Sequence, residues 1–329
     1  MIGTVLAAPL TSFLCEPNYL GGWPASFYLF GTLGVVWSIG WLLFIHDSPS
    51  KHPTISREER YYIERHCQNS GKLVPFSQVP WMTMFLSPSV WAIIIAHTCF
   101  NWNFYTLLTD LPTFLKDVLH LPPSLNGLVS ALPYVCIFIT MNVGGLLSDF
   151  IRSKGVETKN ARKLCYGIGM VASSTCLLTI SYVGCNLTTV MTLLCLSVGL
   201  SGFGQAGFIM NHVDIAPQYA SILMGLTNTF ATLPGIFSPS LTGVITNEQS
   251  DFDTWRIIFF ISAGVSVFGA FIFALLGQGE VQKWASIKRK SSSDRDEYFS
   301  NLNESSQLIS DEISNQITDS GHLNGTHEQ

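Results

Sequence analysis

From Leu164 to Asn247 the chain runs for 84 residues with one formally charged side chain, Asp214, and no Lys or Arg occurs between Lys163 and Arg256. About a quarter of the residues in a soluble domain are charged, so a stretch of this kind excludes a water-exposed fold. A bilayer explains it, because a charge at the bilayer centre costs roughly 2.5 kcal/mol or more. The whole chain follows suit: 329 residues, 47% hydrophobic and 12% charged. Its basic residues form no patch of the sort nucleic acid requires. No nucleophile–base arrangement, HExxH or phosphate loop marks an enzyme. The eight Cys are scattered, with no CxxC and no metal spacing, and read as small packing residues. No metal and no cofactor is expected, and the chain is read as an all-α membrane protein.

Apolar runs place eight segments at about 2–15, 24–45, 89–110, 126–148, 164–184, 188–212, 218–246 and 256–277. The first is short for a span, which needs roughly 20 residues, and reads as the second half of a helix. Of the 17 basic residues, 15 fall in three places: the 46–87 loop, the 149–163 loop and the segment after 277. These are every second connection, which makes all three cytosolic by the excess of Lys and Arg on that side. On this count no Lys or Arg sits within a span. Asn186-Leu-Thr188 then faces away from the cytosol as a candidate glycosylation site. Within the 46–87 loop, Ser56-Arg-Glu-Glu59 reads as a capping box opening a surface helix to about Cys67. The polar stretch after about Lys283 is expected to be disordered.

Several groups carry mechanism. Gly145, Asp149 and Arg152 form G-x-x-x-D-x-x-R where the fourth segment meets the cytosol. The Gly permits close helix approach, and the acid and base suit a gating ion pair between helix bundles. His97, Asn101 and Tyr105 share one face of the third segment, beside Phe100. Polar groups within a span face a bundle interior or a water-filled cavity. They are read here as cavity residues, with interhelical hydrogen bonding as the alternative. Gln205 lies in a Gly-rich span. Asn228, Thr229 and Thr232 precede a Pro234-Gly235 break, of the type that exposes backbone and hydroxyls to substrates in transporters; a simple kink with back-bonded Thr is the alternative. Counting spans puts Asp214 in a short cytosolic link with Asn211 and His212. There it is read as a helix cap or gate contact, with Pro217 in the following first turn. Binding of a proton or cation is the alternative. In the tail, Glu304-Ser-Ser-Gln-Leu308-Ile309 fits an acidic di-leucine sorting signal read by adaptor proteins.

The stretches 100–108, 126–134, 211–217, 225–235 and 279–285 together resemble solute carrier family 17, the sialin-like anion and phosphate transporters of the major facilitator superfamily. The resemblance covers about residues 1–285. It implies a twelve-helix alternating-access fold, of which eight helices are expected here. Residues 1–46 would hold the last two helices of the N-terminal bundle, one of them partial. Residues 47–87 would be the cytosolic inter-bundle loop, 88–282 the C-terminal six-helix bundle, and 283–329 a cytosolic tail. The resemblance further implies secondary transport of a small organic anion, such as sialic acid or an acidic amino acid, coupled to a proton or sodium. It also implies a lysosomal or vesicular membrane, with the plasma membrane as the other location. Phe100 stands where vesicular glutamate carriers place an Arg, which puts the chain nearer the sialin side. The family's opening four helices, with their anion- and proton-binding residues, have no counterpart, so a truncated isoform or partial gene product is the second reading. An inorganic phosphate/sodium cotransporter is a third.

Overall fold

The computed structural model describes residues 2–15, 22–67, 76–247 and 251–286. Among these every regular element is helical. The order is α1 (Ile2–Leu14), α2 (Pro24–Phe44), α3 (Arg57–Cys67), α4 (Trp81–Phe85), α5 (Pro88–Asp117), α6 (Pro123–Ser153), α7 (Thr158–Val183), α8 (Leu187–Phe208), α9 (Asn211–Ile215), α10 (Ala220–Ala231), α11 (Pro234–Thr246) and α12 (Phe252–Leu276). Local chemistry explains the starts. Proline, which lacks the N–H a first turn would leave unused, opens α2, α5, α6 and α11. Asn186 caps α8 by accepting from the Thr189 backbone at 3.0 Å, and Asp251 caps α12 through Thr254 at 2.9 Å. Ser56 accepts from the Glu59 backbone at 3.1 Å, so the expected cap of α3 is in place.

Among the described residues, six stretches are long and apolar enough to cross a membrane: α2, the run from Leu125 through α6, α7, the run through α8 and α9, the run through α10 and α11, and α12. The 13-residue α1 is too short, and α5, at 30 residues, carries too many polar groups, to join them. This is a multi-pass integral membrane protein. Its outer surface agrees: Trp37, Leu42, Leu146, Phe237, Val244 and Phe271 are all exposed, an apolar belt that water would not tolerate. α2 is apolar all round and, past Ala25 and Ser26 at its start, has no buried residue, as a helix facing lipid or further helices would be.

Small residues set the packing. On α8, Gly199 and Gly202 face α6, where an added Cβ would meet Cys136 Cβ at 3.1 Å and the Ile137 carbonyl at 3.1 Å. Gly207 faces α7, where a Cβ would meet the Arg162 carbonyl at 2.7 Å. Without hydrophobic drive between helices in lipid, such contact between backbones supplies the association. The core between them is aromatic, with Phe208 against Tyr166, Phe100 and His97.

Two expectations are corrected. Helix α7 starts at Thr158, not near 164, so Arg162 belongs to a membrane helix and is only 4% exposed. Apolar windows trace the hydrocarbon thickness, while helices run on into the polar layer. Asp214 does not cap the next helix, since neither the Pro217–Tyr219 turn nor α10 has a side-chain cap. It pairs with Arg162 instead. The sorting candidates Glu304, Leu308 and Ile309 lie outside the described residues.

Candidate functional site

The polar face of α5 meets the broken helix rung by rung. His97 Nδ1 lies 3.3 Å from Thr227 Oγ1, and Asn101 Nδ2 donates to the Ala231 carbonyl at 2.7 Å. The Tyr105 ring lies 3.5 Å from where a Gly235 Cβ would stand. Residues four apart on α5 thus meet residues four apart on α10–α11, as expected of two helices running in the same direction. One step further, Thr106 and Ser238 share a short hydroxyl contact. The ladder crosses the break, since α10 ends at Ala231 and α11 begins at Pro234. A carbonyl freed by the missing turn is the one Asn101 serves, which is how spans tolerate Pro-Gly breaks.

His97, 7% exposed, is joined through Thr227 to His212, 1% exposed. His212 Nδ1 lies 2.9 Å from the Ile209 carbonyl and Nε2 lies 2.8 Å from Thr227 Oγ1. A carbonyl only accepts, so Nδ1 carries a proton. The Thr227 hydroxyl also lies 3.2 Å from the Met224 carbonyl, so its single proton is shared between that oxygen and the His212 ring. The contacts His97–Thr227–His212 lead from mid-bundle toward the α9 link.

Around that link a second cluster gathers. Arg162 Nε donates to Asp214 Oδ2 at 2.8 Å and Nη2 to Oδ1 at 3.4 Å, while Nη1 donates to Ser148 at 2.9 Å and to the Ala206 carbonyl at 3.1 Å. One guanidinium therefore holds α6, α7, α8 and α9 together. Asn211 Nδ2 donates to the Gln278 carbonyl at 2.6 Å, and Gln282 N to the Ile215 carbonyl at 2.9 Å. The segment after α12 is thereby tied onto the same link. Pro217 occupies the first position of its short turn.

Other sequence candidates sit elsewhere. Phe100 is in the core, 2% exposed, between Phe104 and Phe208. Gln205 is half-buried on α8. Asn228, Thr229 and Thr232 are exposed beside the break, and both Thr hydroxyls donate back to their own helix, to the Gly225 and Thr229 carbonyls at 3.0 Å. Asp149 and Arg152 are partners on one helix at 3.7 Å, both well exposed, so within this chain the pair joins no two elements. Gly145 faces open space. Of that motif's neighbourhood it is Ser148, fully buried, that reaches another helix. Asn186 is exposed, with its side-chain oxygen engaged as the α8 cap.

Sequence reasoning missed Thr227, Arg162, Asn103, Tyr134 and the buried carboxylate Asp110, which accepts from Thr109 at 2.9 Å. Thr227 and Asp110 had a signal, being polar residues within apolar runs. Arg162 had none, because a basic residue before a span reads as a loop.

Comparison with known proteins fits this architecture. The family model described as Major Facilitator Superfamily matches residues 1–239. The chain belongs to the major facilitator superfamily. Its relatives within that superfamily are those of solute carrier family 17. It is 39% identical to sialin of Homo sapiens over 285 residues, which is 86% of this chain and 56% of that protein. It is 40% identical to vesicular glutamate transporter 2 of Homo sapiens over 289 residues, 86% of this chain and 48% of that protein. Vesicular glutamate transporter 3 of Danio rerio is 39% identical over the same shares. The chain spans about half the length of the curated relatives it matches.

Proposed function

We propose that this chain is part of a secondary active carrier of small organic anions, of the sialic acid or acidic amino-acid type, that works by alternating access and does not act as an enzyme. The observation that carries the reading is the identity of 39–40% to sialin and to vesicular glutamate transporter 2, held over 86% of the chain. The ladder between α5 and α10–α11 supports it. Many transporters place their solute and ion sites at helices interrupted near mid-membrane, around which the bundles rock, and the ladder has its polar rungs on both sides of such an interruption. The backbone contact at Asn101 is a single hydrogen bond, worth about 0.6 kcal/mol on average between membrane helices, which a moving half-helix can exchange. His97, Asn101, Tyr105, Gln205, Asn228, Thr229 and Thr232 are proposed to form this half's contribution to the solute path, with Asp149, Arg152 and the Arg162–Asp214 cluster as gate elements. Residues 88–282 are proposed as the C-terminal six-helix bundle, 1–46 as the last helices of the other bundle, and 47–87 as the loop between them. A proton or sodium as coupling ion, and a lysosomal or vesicular membrane, belong to the same proposal.

The test is uptake of labelled sialate, glutamate and inorganic phosphate into proteoliposomes made from the complete gene product, with imposed proton, sodium and potential gradients. Saturable, gradient-driven uptake of one organic anion is expected. No such uptake of any of the three anions refutes the carrier reading.

A further inference from the structure

On the side of α5 turned away from the ladder, Asn103 lies 6% exposed. Its amide nitrogen donates to Ser266 of α12, and its oxygen Oδ1 is left with no hydrogen-bond partner. The Tyr134 hydroxyl of α6, in a side chain 3% exposed, is likewise unpartnered. Both line one internal cavity of about 10 Å3, together with Phe104, Ser173 of α7, and Ser197 and Ser201 of α8. That is room for one water-sized guest. A buried polar atom without a partner costs about 1–3 kcal/mol, and two of them facing the same void call for an occupant.

The hydroxyl protons decide what kind. Ser197 donates to the Ser173 carbonyl at 3.1 Å and Ser201 to the Val198 carbonyl at 2.7 Å. With Ser197's proton spent, the 2.9 Å contact between the two hydroxyls is a donation from Ser173 to Ser197. All three serines thus turn their protons onto protein acceptors and keep lone pairs for the cavity, beside the free carbonyl oxygen of Asn103. A single water accepts from the Tyr134 hydroxyl and donates to Asn103 Oδ1 and to one serine, and it leaves the other two serine oxygens unserved.

We propose that the cavity is a binding site for a monovalent, oxygen-seeking cation, sodium, held by Asn103 Oδ1, the Tyr134 oxygen and the hydroxyl oxygens of Ser173, Ser197 and Ser201. Neutral oxygens replace a hydration shell in this way in cation-selective sites. No carboxylate lines the cavity, which disfavours the divalent ions that carboxylates hold. Asn103, Tyr134, Ser173 and Ser197 stand near the middle of α5, α6, α7 and α8, the level at which transporters place coupling ions. Phe104 connects the cavity to the ladder, because its ring meets Tyr134 at 5.9 Å on one side and Tyr105 at 5.8 Å on the other. The role as coupling ion rests on the carrier reading, whereas the binding itself does not.

The experiment is thermal unfolding of the purified complete gene product in sodium, potassium and choline chloride at equal ionic strength, with 22Na binding measured on the same samples. Variants are Tyr134→Phe and Ser201→Ala, each removing one cavity oxygen and little volume. Wild type is expected to bind 22Na and to melt about 3 °C or more higher in saturating sodium than in the other salts. Both variants are expected to lose most of that difference while melting cooperatively in choline. Equal melting in all three salts with no 22Na bound, meaning a water only, overturns the site. So does a sodium effect that both variants retain. Anion uptake measured alongside separates the two proposals, since uptake without sodium binding overturns this site and leaves the carrier.

Discussion

Replacing Asp214 by Ala strands the Arg162 guanidinium. That side chain is 5% exposed and its partner's 14%. At the 2.8 Å separation of Nε and Oδ2 the gross attraction is about 6 kcal/mol at an effective dielectric near 20, and desolvating each ion takes back several. The intact pair is therefore worth little net, but removing one partner of a buried pair costs about 3–5 kcal/mol. Arg162 keeps its bonds to Ser148 and the Ala206 carbonyl, and water reaches the Asp214 side, so the lower end, about 3 kcal/mol, is expected for D214A. Arg162→Met should cost a similar amount by leaving the carboxylate alone. The double variant buries neither charge and should lose far less than the sum, with a coupling of at least ~2 kcal/mol. The assay is chaotrope unfolding in mild detergent, followed by tryptophan fluorescence, for wild type, both single variants and the double. Single-variant losses that add within about 0.5 kcal/mol, the spread of independent sites, refute the pairing and return Asp214 to a solvated loop role.

Three further outcomes follow from the same packing. Gly207→Ala should destabilise by about 1–3 kcal/mol, because its Cβ would meet the Arg162 carbonyl at 2.7 Å; Gly264→Ala, with nothing within 4 Å, should be neutral or slightly stabilising, and paired melting curves compare them. Thr227→Val should cost about 1–2 kcal/mol by leaving His97 and His212 without their shared partner, with Thr227→Ser close to wild type in the same unfolding assay. Asp251, held below the ordinary carboxylate value of 3.8 by the Thr254 hydroxyl and backbone N–H, contributes stability that is present above 3.8 and lost as pH falls through its folded value. The melting difference between wild type and Asp251→Ala should therefore be constant from neutral pH down to about 5 and close only in stronger acid.

Much of the site was legible as a pattern without its partners. The spacing of His97, Asn101 and Tyr105 names a helix face correctly, because four residues are just over one turn. What covers that face is 130 residues further along the chain, and the periodicity of one helix carries no information about another. The same holds for Asp214. Its position in a short link is readable, but whether it caps a backbone or meets a guanidinium depends on where α7 lies, and Arg162 reads as a loop residue because apolar windows end where headgroups begin. The oxygens of Asn103 and Tyr134 look like ordinary polar residues in spans, and only the void between four helices makes them a set.

The scarcity of charge from Leu164 to Asn247 already decides the solvent, and the unbroken apolar runs decide the helical class, since barrel strands alternate in polarity whereas a helix satisfies its backbone within its own segment. The number of apolar runs and the sidedness of Lys and Arg decide the approximate path of the chain. Those are local or compositional properties, written residue by residue. Which small residue admits which backbone, which hydroxyl turns its proton away, and which carboxylate meets Arg162 are decided by distances between segments far apart in sequence, and only the packed bundle sets them.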